Sequence, residues 1–141
     1  MAKILLLEDD TDQAELMAQY LYQVGHEVRI VSDASVAIEA LSSDVFDLAI
    51  TDIFIRQGGV MVGNGGLRLI GNIRNGKRPD TGATPHDIPI IAISGVLGGP
   101  TDDHFLKMAD SVGANLRMMK PVHPKQLLAA IEKLLAERDT A

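Results

Sequence analysis

Five short aliphatic runs, each followed by a stretch with helical spacing, constrain this chain more than any other feature. The runs are Lys3–Leu7, Glu27–Val31, Leu48–Thr51, Ile90–Ile93 and Asn115–Met119. Near-continuous blocks of aliphatic and β-branched residues read as strands buried on both faces. Between them the apolar positions follow a 3.6-residue period. The first such set is Ala14, Met17, Ala18, Leu21 and Val24, and the second is Ala34, Ala37, Ile38 and Leu41. Leu69, Ile70 and Ile73 mark a third helix over Leu67–Arg74, and Phe105, Leu106 and Met108 mark a fourth running to about Ala109. The last helix, Pro124–Glu137, carries Leu127, Leu128, Ile131, Leu134 and Leu135. Capping residues agree: Thr11 or Asp12, Ser32 or Asp33, and Thr101 or Asp102 open helices, while Gly25 and Gly113 close them. Such alternation predicts an α/β fold, a doubly wound five-stranded parallel sheet with helices on both faces, and right-handed crossovers leave few strand orders.

Two stretches break the rhythm. Ile55–Gly66 contains Gly58, Gly59, Gly63, Gly65 and Gly66 and is expected to be a mobile loop. Asn75–Pro89, interrupted by Pro79, Pro85 and Pro89, is expected to be a surface connection. With 141 residues the chain fits a single domain, and ending as it does with its fifth helix it is expected to stand alone without an effector domain. It has no cysteine, which excludes disulfides, thiolate metal sites and cysteine nucleophiles. The apolar run at the N-terminus is too short for a signal-peptide core, and nothing approaches a membrane span, so a cytoplasmic location is expected. A net charge of −6 disfavours direct nucleic-acid binding.

In an open parallel sheet, ligands bind beyond the carboxyl ends of the strands. Strand one delivers Glu8, Asp9 and Asp10 there, strand three Asp52, strand four Ser94, and strand five Lys120 followed by Pro121. Taken alone, Asp52 is a turn cap or part of a site; the company at the other strand ends favours a site. Clustered carboxylates repel one another unless protons or a cation neutralise them. An all-oxygen set suits a hard ion such as Mg²⁺. An ionised Asp52 can attack phosphorus, Lys120 can face a phosphoryl oxygen as a point charge, and Ser94 can donate a hydrogen bond to another. The Gly58–Gly66 stretch lacks the Gly-Lys-Ser/Thr ending of a phosphate-binding loop. His26, His86, His104 and His123 have no metal-ligand spacing.

With Glu8-Asp9, Asp52, Ser94 and Lys120-Pro121 in this order, the chain resembles the receiver domain of two-component response regulators over essentially its whole length. The resemblance implies the flavodoxin-like strand order 2-1-3-4-5. It also implies Mg²⁺-dependent phosphorylation of Asp52 by a sensor histidine kinase or phosphotransfer protein. Asp9 is then a direct metal ligand, Glu8 acts through water, the Phe54 backbone carbonyl completes the protein's share, and the Lys120–Pro121 peptide is a candidate for cis. Output is expected through a phosphorylation-dependent protein-binding surface, by family analogy the face of the fourth helix, fifth strand and last helix, toward an unnamed downstream protein.

Three features depart from the usual pattern. The Gly-rich segment replaces a shorter loop, which predicts a longer, looser rim. Arg117 stands where many members carry a switch Tyr or Phe, so coupling between Ser94 and an aromatic ring cannot operate in that form. Phe54 and Val96, two residues beyond Asp52 and Ser94, are apolar and cannot orient an attacking water, which predicts slow hydrolysis of a phosphorylated Asp52 and no true enzymatic turnover. Two rival readings are a pseudo-receiver that binds partners without phosphorylation and an aspartate-nucleophile phosphatase. The phosphatase class typically has a second Asp two residues after the nucleophile, where this chain has Phe54.

Overall fold

The structure is a computed structural model and describes residues 2–53, 55–57, 60–62, 64–75, 83–94 and 113–139. Its elements run β1 (Lys3–Leu7), α1 (Thr11–Gln23), β2 (Glu27–Val31), α2 (Ala34–Ser43), β3 (Leu48–Asp52), β4 (Ile55–Gln57), β5 (Val60–Val62), α3 (Asn64–Asn75), β6 (Ile90–Ser94), β7 (Leu116–Met119) and α4 (Pro124–Asp139). The fourth helix expected from Thr101 onward lies outside the described residues.

The main sheet has the order β2-β1-β3-β6-β7, and every neighbouring pair is parallel. Counting these five strands alone, the order is 2-1-3-4-5, as expected. β3 and β6 occupy the middle and are buried at every position. Alternate side chains of each strand leave opposite faces, and the apolar interior is divided accordingly. Leu5, Leu7, Ala49 and Ala92 pack with Ala37 and Leu41 of α2 and with Leu69, Ile70 and Ile73 of α3. Ile4, Leu6, Leu48, Ile50, Ile91 and Ile93 pack on the other side with Ala14 and Leu21 of α1 and with Leu127, Ile131 and Leu134 of α4. Among the described residues no helix is long and apolar enough to cross a membrane.

Local punctuation follows ordinary capping chemistry. Asp10, rather than Thr11 or Asp12, caps α1 and accepts from the Gln13 amide at 3.1 Å. Asp33 caps α2 through the Val36 amide at 2.9 Å. Gly25 follows α1 with φ 93°, a conformation that costs other residues steric energy. Val24, expected on the apolar stripe of α1, instead sits at its C-cap and is exposed.

Two expectations need correction. Ile55–Gly66 is not simply a loop: Ile55–Gln57 and Val60–Val62 pair antiparallel, and α3 begins at Asn64, ahead of the expected Leu67. The physical cue is a Gly-Gly pair between two runs containing Ile and Val, which is a hairpin signal outweighed in the sequence reading by glycine content. The connection before β6 is not wholly superficial either, because Thr84 and Ile88 are fully buried. Thr84 Oγ1 donates to the Asp44 carbonyl at 2.5 Å and accepts from the Phe46 amide at 3.1 Å, so a polar residue is satisfied inside.

Arg74, at the end of α3, gathers several distant segments. Its guanidinium donates to the carbonyls of Gly113 (2.9 Å), His86 (2.7 Å) and Ile88 (2.7 Å) and to the Asn115 Oδ1 (2.7 Å). The same Asn115 oxygen accepts from the Ile90 amide at 2.8 Å. The starts of β6 and β7 are thereby held together, at the ends opposite the carboxylates.

Candidate functional site

The carboxyl ends of the central strands carry polar groups into buried surroundings. Glu8 follows β1, Asp52 ends β3 and Ser94 ends β6; all three are buried, while Asp9 is half-buried. Backbone bonds continue beyond the strands and fix these positions. The Glu8 amide donates to the Val31 carbonyl at 3.0 Å, the Ile53 amide to Ile93 at 2.8 Å, and the Lys120 amide to Ser94 at 2.8 Å. The Lys120–Pro121 peptide is cis.

One carboxylate oxygen from each of Glu8, Asp9 and Asp52 lies within 4.8 Å of the others. The Lys120 Nζ reaches Asp52 Oδ2 at 2.6 Å and Glu8 Oε1 at 2.8 Å. Residues far apart along the chain therefore meet in one anionic pocket with an ammonium across it. Burial, reinforced by hydrogen bonding to Asp52 and by its charge, pushes the Glu8 carboxyl up to about 8, against the lowering influence of Lys120. Burial alone would lower Lys120, but its hydrogen bonds to Asp52 and Glu8 and their charges raise it. Lys120 is therefore a fixed cation, while Glu8 tends to hold a proton that relieves crowding among the acids. A hard divalent cation would provide the same relief, and three converging carboxylate oxygens are a donor set that fits Mg²⁺.

Residues 4–132 match the family model for the response regulator receiver domain. The chain belongs to that family. Curated relatives include the transcriptional regulatory protein GltR of Pseudomonas aeruginosa, 31% identical over 94% of this chain and 48% of the relative. The regulatory protein VirG of Rhizobium rhizogenes is 28% identical over 98% of this chain and 50% of the relative. This receiver chain thus spans about half the length of the curated relatives it matches. Among solved structures, a CheY-like response regulator receiver domain protein from Methanospirillum hungatei superimposes with a TM-score of 0.75 at 25% identity, covering 99% of this chain and 98% of the other. NtrX from Brucella abortus gives 0.79 at 25% identity, covering 99% of this chain and 28% of the other. Receiver domains are in general phosphorylated on an aspartate by histidine kinases and bind Mg²⁺ in an acidic pocket, acting as phosphoacceptors rather than enzymes.

Of the residues singled out in the sequence, Glu8, Asp9, Asp52 and Lys120 meet directly in this receiver, and Ser94 ends β6 at the same edge, its carbonyl accepting from the Lys120 amide. Arg117 is exposed on β7, in register with Ala92 of β6. Phe54 and Val96 lie outside the described residues. One neighbour of the pocket escaped the sequence reading. Gly66, in the first turn of α3, packs its backbone against the main chain of Asp52 and Ile53.

Proposed function

We propose that this receiver accepts a phosphoryl group on Asp52 from a sensor histidine kinase or phosphotransfer protein and signals by altering a protein-binding surface. The observation that carries the proposal is the Lys120 Nζ at 2.6 Å from Asp52 Oδ2 while also bonded to Glu8. Few arrangements place a buried carboxylate, two further acids and a fixed ammonium at the mouth of a parallel sheet without phosphate chemistry in view.

In the transfer, an Asp52 carboxylate oxygen forms a bond to phosphorus as the bond from phosphorus to the donor's imidazole nitrogen breaks, the electron pair leaving with nitrogen. Lys120 exchanges one of its two carboxylate contacts for a phosphoryl oxygen. The Ser94 hydroxyl donates to another phosphoryl oxygen, and it is the residue through which the new group would be sensed at β6. Glu8, Asp9 and Asp52, with the Phe54 carbonyl, would hold Mg²⁺. When bound, the ion neutralises charge shared by these acids and the incoming phosphoryl oxygens. The aspartate serves as acceptor, with slow self-dephosphorylation at most. Arg117 replaces the usual aromatic switch, and the output of the receiver is a protein contact.

Incubation with Mg²⁺ and acetyl phosphate, followed by intact-mass measurement, tests this. One stable phosphoryl group is expected on the wild type and none on Asp52→Asn. An unlabelled wild type, or labelling that persists in the variant, would refute the assignment. The decay of the label in the same experiment measures its lifetime.

A further inference from the structure

We infer that Gly66 is a positioning residue for Asp52, and that it ties the β4–β5 hairpin and α3 to the backbone of the proposed phosphoacceptor. The inference rests on the phosphoacceptor reading above. A Cβ built on Gly66 would collide with the Asp52 carbonyl oxygen, and would lie 2.8 Å from Ile53 Cα and 3.0 Å from the Asp52 carbonyl carbon. All three obstructing atoms are main chain, so no side-chain rotation can relieve the contact. Either β3 shifts at its end or the start of α3 withdraws.

The surrounding connectivity gives this contact its meaning. The chain leaves β3 after Asp52, forms the antiparallel pair β4–β5, and re-enters helix at Asn64. By Gly66 it has returned to the two residues from which it departed. The hairpin therefore has a base that closes on Asp52 itself. The end of β3 is held from its other side by the Ile53 amide bonded to Ile93 at 2.8 Å. A methyl at residue 66 would press directly on the main chain that carries the Asp52 carboxylate, and a shift of that strand end would change its placement relative to Lys120 and Glu8. Misplacement of a reacting group by about 1 Å can cost roughly 100-fold in rate.

Gly71 supplies an internal control. It lies in the same helix, and among the described residues its added Cβ would meet only the Asn75 Nδ2 at 4.0 Å. Gly71→Ala should therefore raise helix stability without affecting Asp52.

The test compares wild type, Gly66→Ala and Gly71→Ala for the rate of phosphorylation by acetyl phosphate with Mg²⁺, varying the acetyl phosphate concentration. Circular dichroism gives the folded fraction, so rates are expressed per folded molecule. In the step, phosphorus bonds to Asp52 as its bond to the acetyl oxygen breaks and acetate leaves. Gly66→Ala is expected to lower the maximal rate about 10- to 100-fold, with Gly71→Ala matching wild type. A purely structural glycine would lower the melting temperature and leave the rate per folded molecule unchanged, which would overturn the inference. If Gly66→Ala is too unstable to assay, the double variant with Gly71→Ala is measured at low temperature; failure of that variant to fold would make Gly66 a folding residue and also overturn it. An unlabelled wild type is seen before any variant is compared and would sink the phosphoacceptor reading and this inference together.

Discussion

Lys120 is held by two carboxylates at once, at 2.6 Å from Asp52 and 2.8 Å from Glu8, so its removal leaves buried acids facing each other. Two effects oppose each other in Lys120→Ala. The site loses the cation that would face a developing phosphoryl charge, a kind of loss that costs about 100-fold or more in rate. The freed acids also become a stronger trap for divalent cations. The expected outcome is slow labelling by acetyl phosphate together with tighter Mg²⁺ binding by calorimetry; weaker Mg²⁺ binding would contradict this electrostatic account. His26 shows a different kind of balance. Its Nδ1 accepts from the Ala2 amide at 3.1 Å, and burial lowers its pKa below the usual 6.5. A lowered histidine is held neutral in the fold, so it contributes stability above about pH 6.5 that is lost as pH falls through its folded value. The His26 ring resonances should titrate below 6.5 by NMR, and His26→Gln should flatten the acid side of the stability profile.

Arg74 shows how a helix end organises the two strands that follow it. Its planar fork reaches three carbonyls and the Asn115 side chain. A lysine has a single charged nitrogen and cannot span those acceptors. Arg74→Lys is expected to cost about 2–3 kcal/mol, read as a lower urea midpoint at unchanged slope; a loss under ~0.5 kcal/mol would show the fork to be ornamental. Nothing in the sequence announces this clamp, because its partners are mostly main-chain carbonyls from distant segments. The inner strands β1, β3 and β6 were legible for the opposite reason: each is a local aliphatic block whose period needs no partner to be read. The hairpin β4–β5 fell between these cases. Its strands are three residues each and rich in neighbouring glycine, so composition concealed a pairing that Gly58-Gly59 in fact signals. The convergence of Glu8, Asp9, Asp52 and Lys120 could be anticipated because parallel topology sends strand ends to one edge. The seat of Gly66 could not, since it depends on how closely two backbones approach.

Taken together, the sheet separates one apolar interior facing α2 and α3 from another facing α1 and α4. Leu41 belongs to the first and Leu127 to the second. Each truncation to alanine should cost about 2–5 kcal/mol, and residues without shared contacts should be additive within about 0.5 kcal/mol. Denaturant titration of the two single variants and the double variant checks this; a larger interaction energy would show that the two interiors communicate through the strands. The separation also bears on signalling. β3 contributes Ala49 to one interior and Leu48 and Ile50 to the other, and it ends at Asp52. A bond made on that carboxylate, as proposed, would load a beam shared by two rooms.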